Sequence, residues 1–340
     1  MTIPKILISL PIELILLVID DLSPQDLLNL LYIFPMLSTA LTARHTTIHD
    51  YYDTTVLHLL TEHGRHLPLR KLFETDGVWT NPKDRGGWTP LALAAAKGHE
   101  RVVGLLLQRV DIDVDVMNNE NQTPLLCAAR NGHEELVRQL LNNGANVDLK
   151  DKFNRTPLSW AARNGHSKVV ILLLENDAQV HTRDYYGWTA IFWAAMSGHE
   201  TVVKALLEKG PHDARDNYGW TPLSWAARKG HEGVVRTLLC KFDPDTKDIY
   251  GRTSLSWAAE NGYPSVVKLL LAKNATAHMP DSYGQTPLSW AVRSGHHTVV
   301  QLLLHHIYCG STDYLGIYNT TLAQGTRCGD EEAIKLCLGN

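Results

Sequence analysis

The 340-residue sequence predicts an all-α solenoid of stacked helical hairpins. Three observations carry that prediction. First, the stretch from Gly219 to Glu232 contains a helix with both ends marked. Thr221 is a good N-cap, Pro222 sits where a missing N–H costs nothing, and Gly230 can take the left-handed conformation that closes a helix. Second, the small pair Ala226-Ala227 lets a neighbouring helix approach closely, and Val234, Val235, Leu238 and Leu239 make a return helix. Third, one such hairpin cannot bury its own apolar face, and copies recur. Aligned threonines stand at Thr55, Thr89, Thr123, Thr156, Thr189, Thr221, Thr253, Thr286 and Thr320, with spacings of 34, 34, 33, 33, 32, 32, 33 and 34.

A period near 33 with Thr-Pro-Leu, paired alanines and Gly-His resembles the ankyrin repeat, over roughly Thr55 to Leu338. The wording from Ser159 to His166 is similar to the repeats of large ankyrin proteins in filamentous fungi. The resemblance implies an ankyrin repeat solenoid with β-turn fingers, and a short segment of three expected helices precedes it. The expected divisions are an amino-terminal helical segment (1–54), a degenerate repeat and linker (55–83), seven repeats (84–313) and a degenerate closing repeat (314–340).

In chain order, Ser9 can cap and Pro11 opens a first helix, expected to reach about Leu22, where Ser23-Pro24 breaks it. Asp26 to Phe34 makes a second helix, ended by Pro35, and Met36 to about Asp50 a third. From Leu14 to Ile19 the first helix is apolar all round, so it must be covered on every side. That run is far shorter than the ~18 residues needed to cross a bilayer. Pro11 and Glu13 also spoil a signal-peptide reading, so a cytoplasmic or nuclear protein is expected. The arrangement Leu10, Pro11, Glu13, Leu14, Ile19, Leu22, Asp26, Leu27 and Leu30 resembles the F-box. That module docks on the Skp-type linker subunit of cullin–RING ubiquitin ligases, which makes these nine residues the expected linker-binding set. The same helices can instead cap the apolar end of the solenoid.

The unit at Thr55 keeps Gly64 in register but replaces the alanine pair by Leu60-Thr61, so loose stacking is expected on its outer side. Thr320 to Leu338 keeps Gly329 but carries Gly325 and Thr326 for the alanines, with Asp330-Glu331-Glu332 favouring the start of its second helix. Terminal repeats need such polar changes, and Asn340 is the expected natural end.

Composition narrows the function classes. The formal charge is −4, and residues 1–54 hold six acids against Lys5 and Arg44, which leaves the remainder near neutral. A nucleic-acid groove needs clustered basic charge, and this balance supplies none. Cys127, Cys240, Cys309, Cys328 and Cys337 form no C-x-x-C pair, so they are expected to be reduced, mostly core thiols of an intracellular protein. His99, His133, His166, His199, His231 and His296 each follow a helix-ending glycine. One repeat apart, roughly 10 Å by helix stacking, they cannot share a metal at ~2 Å. Their rings are expected to bond loop backbone. Ser159, Ser224, Ser256 and Ser289 lack a strained elbow or an oriented base. Asp84, Asp151, Asp184, Asp216, Asp248 and Asp281 open the finger turns, where Asp bonds its own backbone two residues on. The sequence therefore nominates no catalytic, cofactor or metal site.

It does nominate a binding surface. In the ankyrin resemblance the finger tips and the exposed side of each first helix form a concave face. The tips here carry Phe153, Tyr186, Tyr218, Tyr250 and Tyr283, with Tyr185 alongside; Trp88, Arg155, Trp188, Trp220 and Arg252 precede the threonines. Turns ordinarily hold Gly, Asn, Asp and Ser, whereas Tyr, Trp and Arg dominate binding hot spots. Stacking of adjacent tips on one another is the other use for such rings. A second stripe, Trp160, Trp193, Trp225, Trp257 and Trp290, is followed three residues on by Arg163, Met196, Arg228, Glu260 and Arg293, with Arg130 and Arg327 extending the row. Packing between repeats explains the indoles. A groove of indole and guanidinium, held by cation–π contacts of ~0.5–2 kcal/mol, suits an acidic or aromatic peptide.

The expected function is non-catalytic protein–protein recognition, as substrate adaptor of a Skp–cullin–F-box ubiquitin ligase, with no direct nucleic-acid or membrane partner. The expected client residues are Phe153, Arg155, Tyr185, Tyr186, Trp188, Tyr218, Trp220, Tyr250, Arg252, Tyr283, Arg163, Arg228 and Arg293. The alternative is a scaffold or transcription co-regulator whose first helices only cap the array.

Overall fold

The structure is a computed structural model that describes residues 22–33, 47–210 and 215–308. Leu10, Pro11, Glu13, Leu14 and Ile19, the closing repeat at 314–340 with Arg327, and Cys309, Cys328 and Cys337 lie outside the described residues. Those described fall into two units, within Met1–Ala161 and Ile171–Ala178, and within Ala162–Val170 and Gln179–Asn340.

The first unit begins with α1 (Pro24–Ile33). Ser23 starts this helix rather than only ending a preceding one: its Oγ accepts from the Asp26 N–H at 3.2 Å and donates to the Asp26 carboxylate at 2.6 Å. Next come the hairpins α2 (Val56–Glu62) with α3 (His66–Leu72), α4 (Pro90–Lys97) with α5 (Glu100–Leu107), and α6 (Pro124–Asn131) with α7 (Glu134–Asn142). First helices stack on first helices, α2 on α4 and α4 on α6, and second on second, α3 on α5 and α5 on α7. α1 packs against α2 in the same way. The outer side of the Thr55 unit is therefore not loose: Leu60 and Thr61 are fully buried, and Leu27, Leu28 and Leu31 of α1 are buried with them.

α8 (Pro157–Arg163) and α9 (Ser167–Glu175) contribute residues to both units. The second unit continues with α10 (Ala190–Ser197) and α11 (Glu200–Lys209), α12 (Pro222–Lys229) and α13 (Glu232–Leu238), α14 (Ser254–Glu260) and α15 (Pro264–Ala272), and α16 (Pro287–Arg293) with α17 (His297–Tyr308). Here α10, α12, α14 and α16 stack in sequence, as do α11, α13, α15 and α17. The alanines that permit this approach, Ala194, Ala195, Ala226, Ala227, Ala258 and Ala259, are fully buried.

The caps form as their residue types require. Thr221 Oγ1 accepts from the Ser224 N–H at 3.1 Å, and Thr253 and Thr286 repeat the bond with Ser256 and Ser289. The serines are thus capping partners inside the array. The histidines make their expected backbone bond, and its acceptor is the last turn of the preceding repeat's first helix. His199 Nε2 donates to the Arg163 carbonyl at 3.0 Å, His231 to Met196 at 2.9 Å and His296 to Glu260 at 2.9 Å. Each bond satisfies a helix-end carbonyl from the next repeat. Gly198 shows why the preceding residue must be glycine: its φ is +84°, and a Cβ there would meet His231 Nδ1 at 2.8 Å.

Residues 47–50, expected to end a third amino-terminal helix, are not helical. Asp50 Oδ1 instead accepts from the N–H groups of Tyr52 and Thr54 at 2.8 and 2.9 Å, which makes a finger ahead of Thr55. Of the two described cysteines, Cys127 is buried and Cys240 is exposed. Burial pushes the Cys127 thiol up to about 12, so it stays protonated. Among the described residues no helix is long and apolar enough to cross a membrane.

Candidate protein-binding face

Each of the second unit's fingers is built by one carboxylate. In the second unit Asp184, Asp216, Asp248 and Asp281 are buried. Their Oδ1 atoms accept from the N–H two residues on, at Tyr186, Tyr218, Tyr250 and Tyr283, and four residues on, at Trp188, Trp220, Arg252 and Gln285, all at 2.9 Å. This local closure turns the residue two positions on outward, and there stand the tyrosines. The fingers are tied into a row, because the tip carbonyl accepts from the next finger: Ile249 N–H to Tyr218 at 3.1 Å, Ser282 N–H to Tyr250 at 2.9 Å.

The second carboxylate oxygen has a different job. Asp184, Asp216, Asp248 and Asp281 Oδ2 accept from the indole N–H nine residues on, at Trp193, Trp225, Trp257 and Trp290, over 3.0 to 3.3 Å. Asp216 Oδ2 takes a second indole, that of Trp188, at 3.0 Å. One buried anion thus fixes the finger and pins the first helix's tryptophan to it. The spacing is readable as Asp-x8-Trp in five consecutive repeats, and it was missed in reading the sequence. The two repeats before these lack the pair: Asp84 has Leu93 nine residues on, and Asn118 has Cys127.

The residues before the threonines fill the space between successive indoles. Trp188 lies 4.7 Å from Trp193 and 4.9 Å from Trp225; Trp220 lies 4.5 Å from Trp225 and 4.2 Å from Trp257. Arg252 takes the same place, 3.4 Å over Trp257 and 4.1 Å from Trp290. Its guanidinium also bonds Glu260 at 2.6 Å. Trp220 and Arg252 are each only 6% exposed, so two expected client residues form the floor behind the tips instead of a contact surface. In the first unit Arg155 is placed likewise, stacked on Trp160 at 4.1 Å and paired with Asp151 at 3.0 Å.

The tips behave otherwise. Tyr185, Tyr186, Tyr218, Tyr250 and Tyr283 are 62, 56, 53, 43 and 73% exposed, and Phe153 of the first unit is 39% exposed. None of these six rings stacks on the next tip; of the six, Tyr186 alone touches an aromatic neighbour, Trp188 at 5.8 Å. The stacking use of these rings is absent there. Arg163 and Arg228 lie over the indole layer beside Trp193 and Trp257, at 4.6 and 5.1 Å, and Arg293 lies 5.5 Å from Trp290. No group of three metal-ligating side chains occurs among the described residues.

In the first unit a similar exposed cluster was not foreseen. Tyr51 is 74% exposed with the Arg85 guanidinium 3.9 Å over its ring, and Tyr52 occupies the tip position of the Asp50 finger. Its signal was the same Asp-to-tip offset of two residues.

No curated protein matches the sequence. A family model described as ankyrin repeats (three copies) matches residues 110–184, 178–248 and 238–313, and an ankyrin repeat model matches residues 86–119. With its capped hairpins, aspartate-closed fingers and 33-residue period, this chain belongs to the ankyrin repeat proteins.

Proposed function

We propose that the chain is a non-catalytic recognition module that holds a client protein on its exposed finger face. Ankyrin repeats are protein-interaction modules, and the finer assignment to this face rests on one observation. The tip tyrosines are exposed, make no ring ladder among themselves, and are not needed to close the turns that carry them, since backbone N–H groups do that. Large rigid aromatics in such positions supply contact area at low entropic cost. The test is affinity capture from the native lysate by the wild type and by Tyr186→Ala/Tyr218→Ala/Tyr250→Ala. Proteins held by the first and lost by the second are clients; identical captured sets would place recognition elsewhere.

The resemblance of residues 10–34 to the F-box supports a further reading, delivery of the client to a Skp–cullin ubiquitin ligase. The burial of Leu27 of α1 on the repeats supports the capping role instead. Co-elution with a Skp-type linker protein separates the two. Co-elution by the wild type and its loss in Leu14→Asp makes the chain an adaptor; no co-elution leaves a capped scaffold or co-regulator.

A further inference from the structure

The electrostatics of the second unit's finger face name the chemistry of its partner. Its finger carboxylates are all engaged: Asp184, Asp216, Asp248 and Asp281 are buried, each bonded to two backbone N–H groups and at least one indole. The one acid in the arginine row, Glu260, is neutralised by Arg252 at 2.6 Å. The one negative charge in that row is therefore balanced inside the protein. Arg228 and Arg293 are different. Each lies against indoles, and among the described residues neither has a carboxylate within ion-pair distance. A guanidinium lying on a ring keeps its N–H edge available for a bidentate carboxylate contact. Arg228 is half-buried and Arg293 exposed, and the uncharged tips Tyr250 and Tyr283 belong to the intervening repeat and to that of Arg293.

Distance makes the prediction specific. Trp220 lies within 4.5 Å of Trp225 and 4.2 Å of Trp257, so equivalent rings in neighbouring repeats are no more than about 10 Å apart, the ordinary spacing of packed helices. Arg228 and Arg293 stand two repeats apart, hence roughly 20 Å. An extended chain rises ~3.3 Å per residue and covers that span in about six residues.

Accepting the finger face as the binding face, we propose that it takes an extended acidic segment of a partner protein. Two carboxylates about six residues apart fork onto Arg228 and Arg293, and the intervening backbone runs over the tyrosine tips. Charge complementarity of this kind sets specificity and association rate.

Selection of a random dodecapeptide display library on the immobilised full chain tests this without a known client. The expected peptides are rich in Asp and Glu. Their affinity falls at least about tenfold for Arg228→Gln/Arg293→Gln and again on raising salt from ~50 to ~500 mM, while Arg228→Lys/Arg293→Lys retains part of it. Circular dichroism confirms that the variants stay folded. Uncharged or basic peptides that are lost on Tyr218→Ala/Tyr250→Ala would overturn the acidic chemistry and leave the finger face standing. Peptides indifferent to both sets of substitutions, or no peptides at all, would overturn both.

Discussion

Asp216 concentrates the chemistry that makes this array, because a single carboxylate accepts from two backbone N–H groups and two indoles. Asparagine in its place keeps one oxygen for the backbone but turns an N–H₂ toward two indole donors. Asp216→Asn is therefore expected to lower stability by about 3 kcal/mol, roughly twice the effect of Asp281→Asn, whose side chain holds one indole. Urea unfolding of both variants checks the ratio, and equal losses would remove the second indole from the account. His58 gives a pH prediction. Its Nδ1 accepts from the Thr55 N–H at 3.1 Å and its Nε2 bonds the Trp88 carbonyl at 3.0 Å, an arrangement only the neutral ring satisfies. Burial, chiefly, holds its pKa below the ordinary 6.5. Above 6.5 the ring is neutral folded and unfolded, and its contribution is complete. As pH falls below that value the unfolded chain takes up the proton first, and stability is lost until the lower folded pKa is passed. Thermal melts between about pH 7.5 and pH 5.5 should show a steeper loss for the wild type than for His58→Gln, which keeps a capping side chain without the titration. Parallel slopes would mean that another group carries the acid sensitivity.

At the scale of elements, the hairpin with its caps was legible in the sequence, because Thr-Pro, Gly-His and the alanine pair are local signals with local causes. The finger turns were legible for the same reason. What sequence reading did not reach is the link between finger and helix: a nine-residue offset matches neither a helical nor a strand period, so Asp-x8-Trp looks like two unrelated features. Nor could it reach the burial of Trp220 and Arg252, because the next repeat's indole is what covers them. The Asp50 finger was passed over because Met36 to about Asp50 reads as a third helix, and its left-handed position is Asp53, at φ +58°. α1 is the element whose role most changes the functional reading. Leu27 is 1% exposed in contact with the first repeat's helical layer, so Leu27→Ala should cost about 2–4 kcal/mol, read by urea unfolding. A loss below about 0.5 kcal/mol would show that α1 does not cap the array and would return it to the docking role.

Over the whole molecule two sets of aromatic residues divide the work. The indoles, held by buried carboxylates, and the Arg155 and Arg252 guanidinium groups stacked on them belong to the fold, whereas the tip tyrosines hang from turns that close without them. Stability and recognition therefore reside in adjacent but separable residues, and the fold by itself names neither the client nor the pathway. That separation is the central claim, and one comparison tests it most directly. Tyr186, Tyr218, Tyr250 and Tyr283 are replaced together by alanine, and the melting temperature and the affinity for a captured client or selected peptide are measured on the same preparation. The account predicts a stability change within about 0.5 kcal/mol for each exposed site and at least about a tenfold loss of affinity. A variant that melts early yet binds its partner undiminished would contradict it, and would make the tyrosines part of the scaffold.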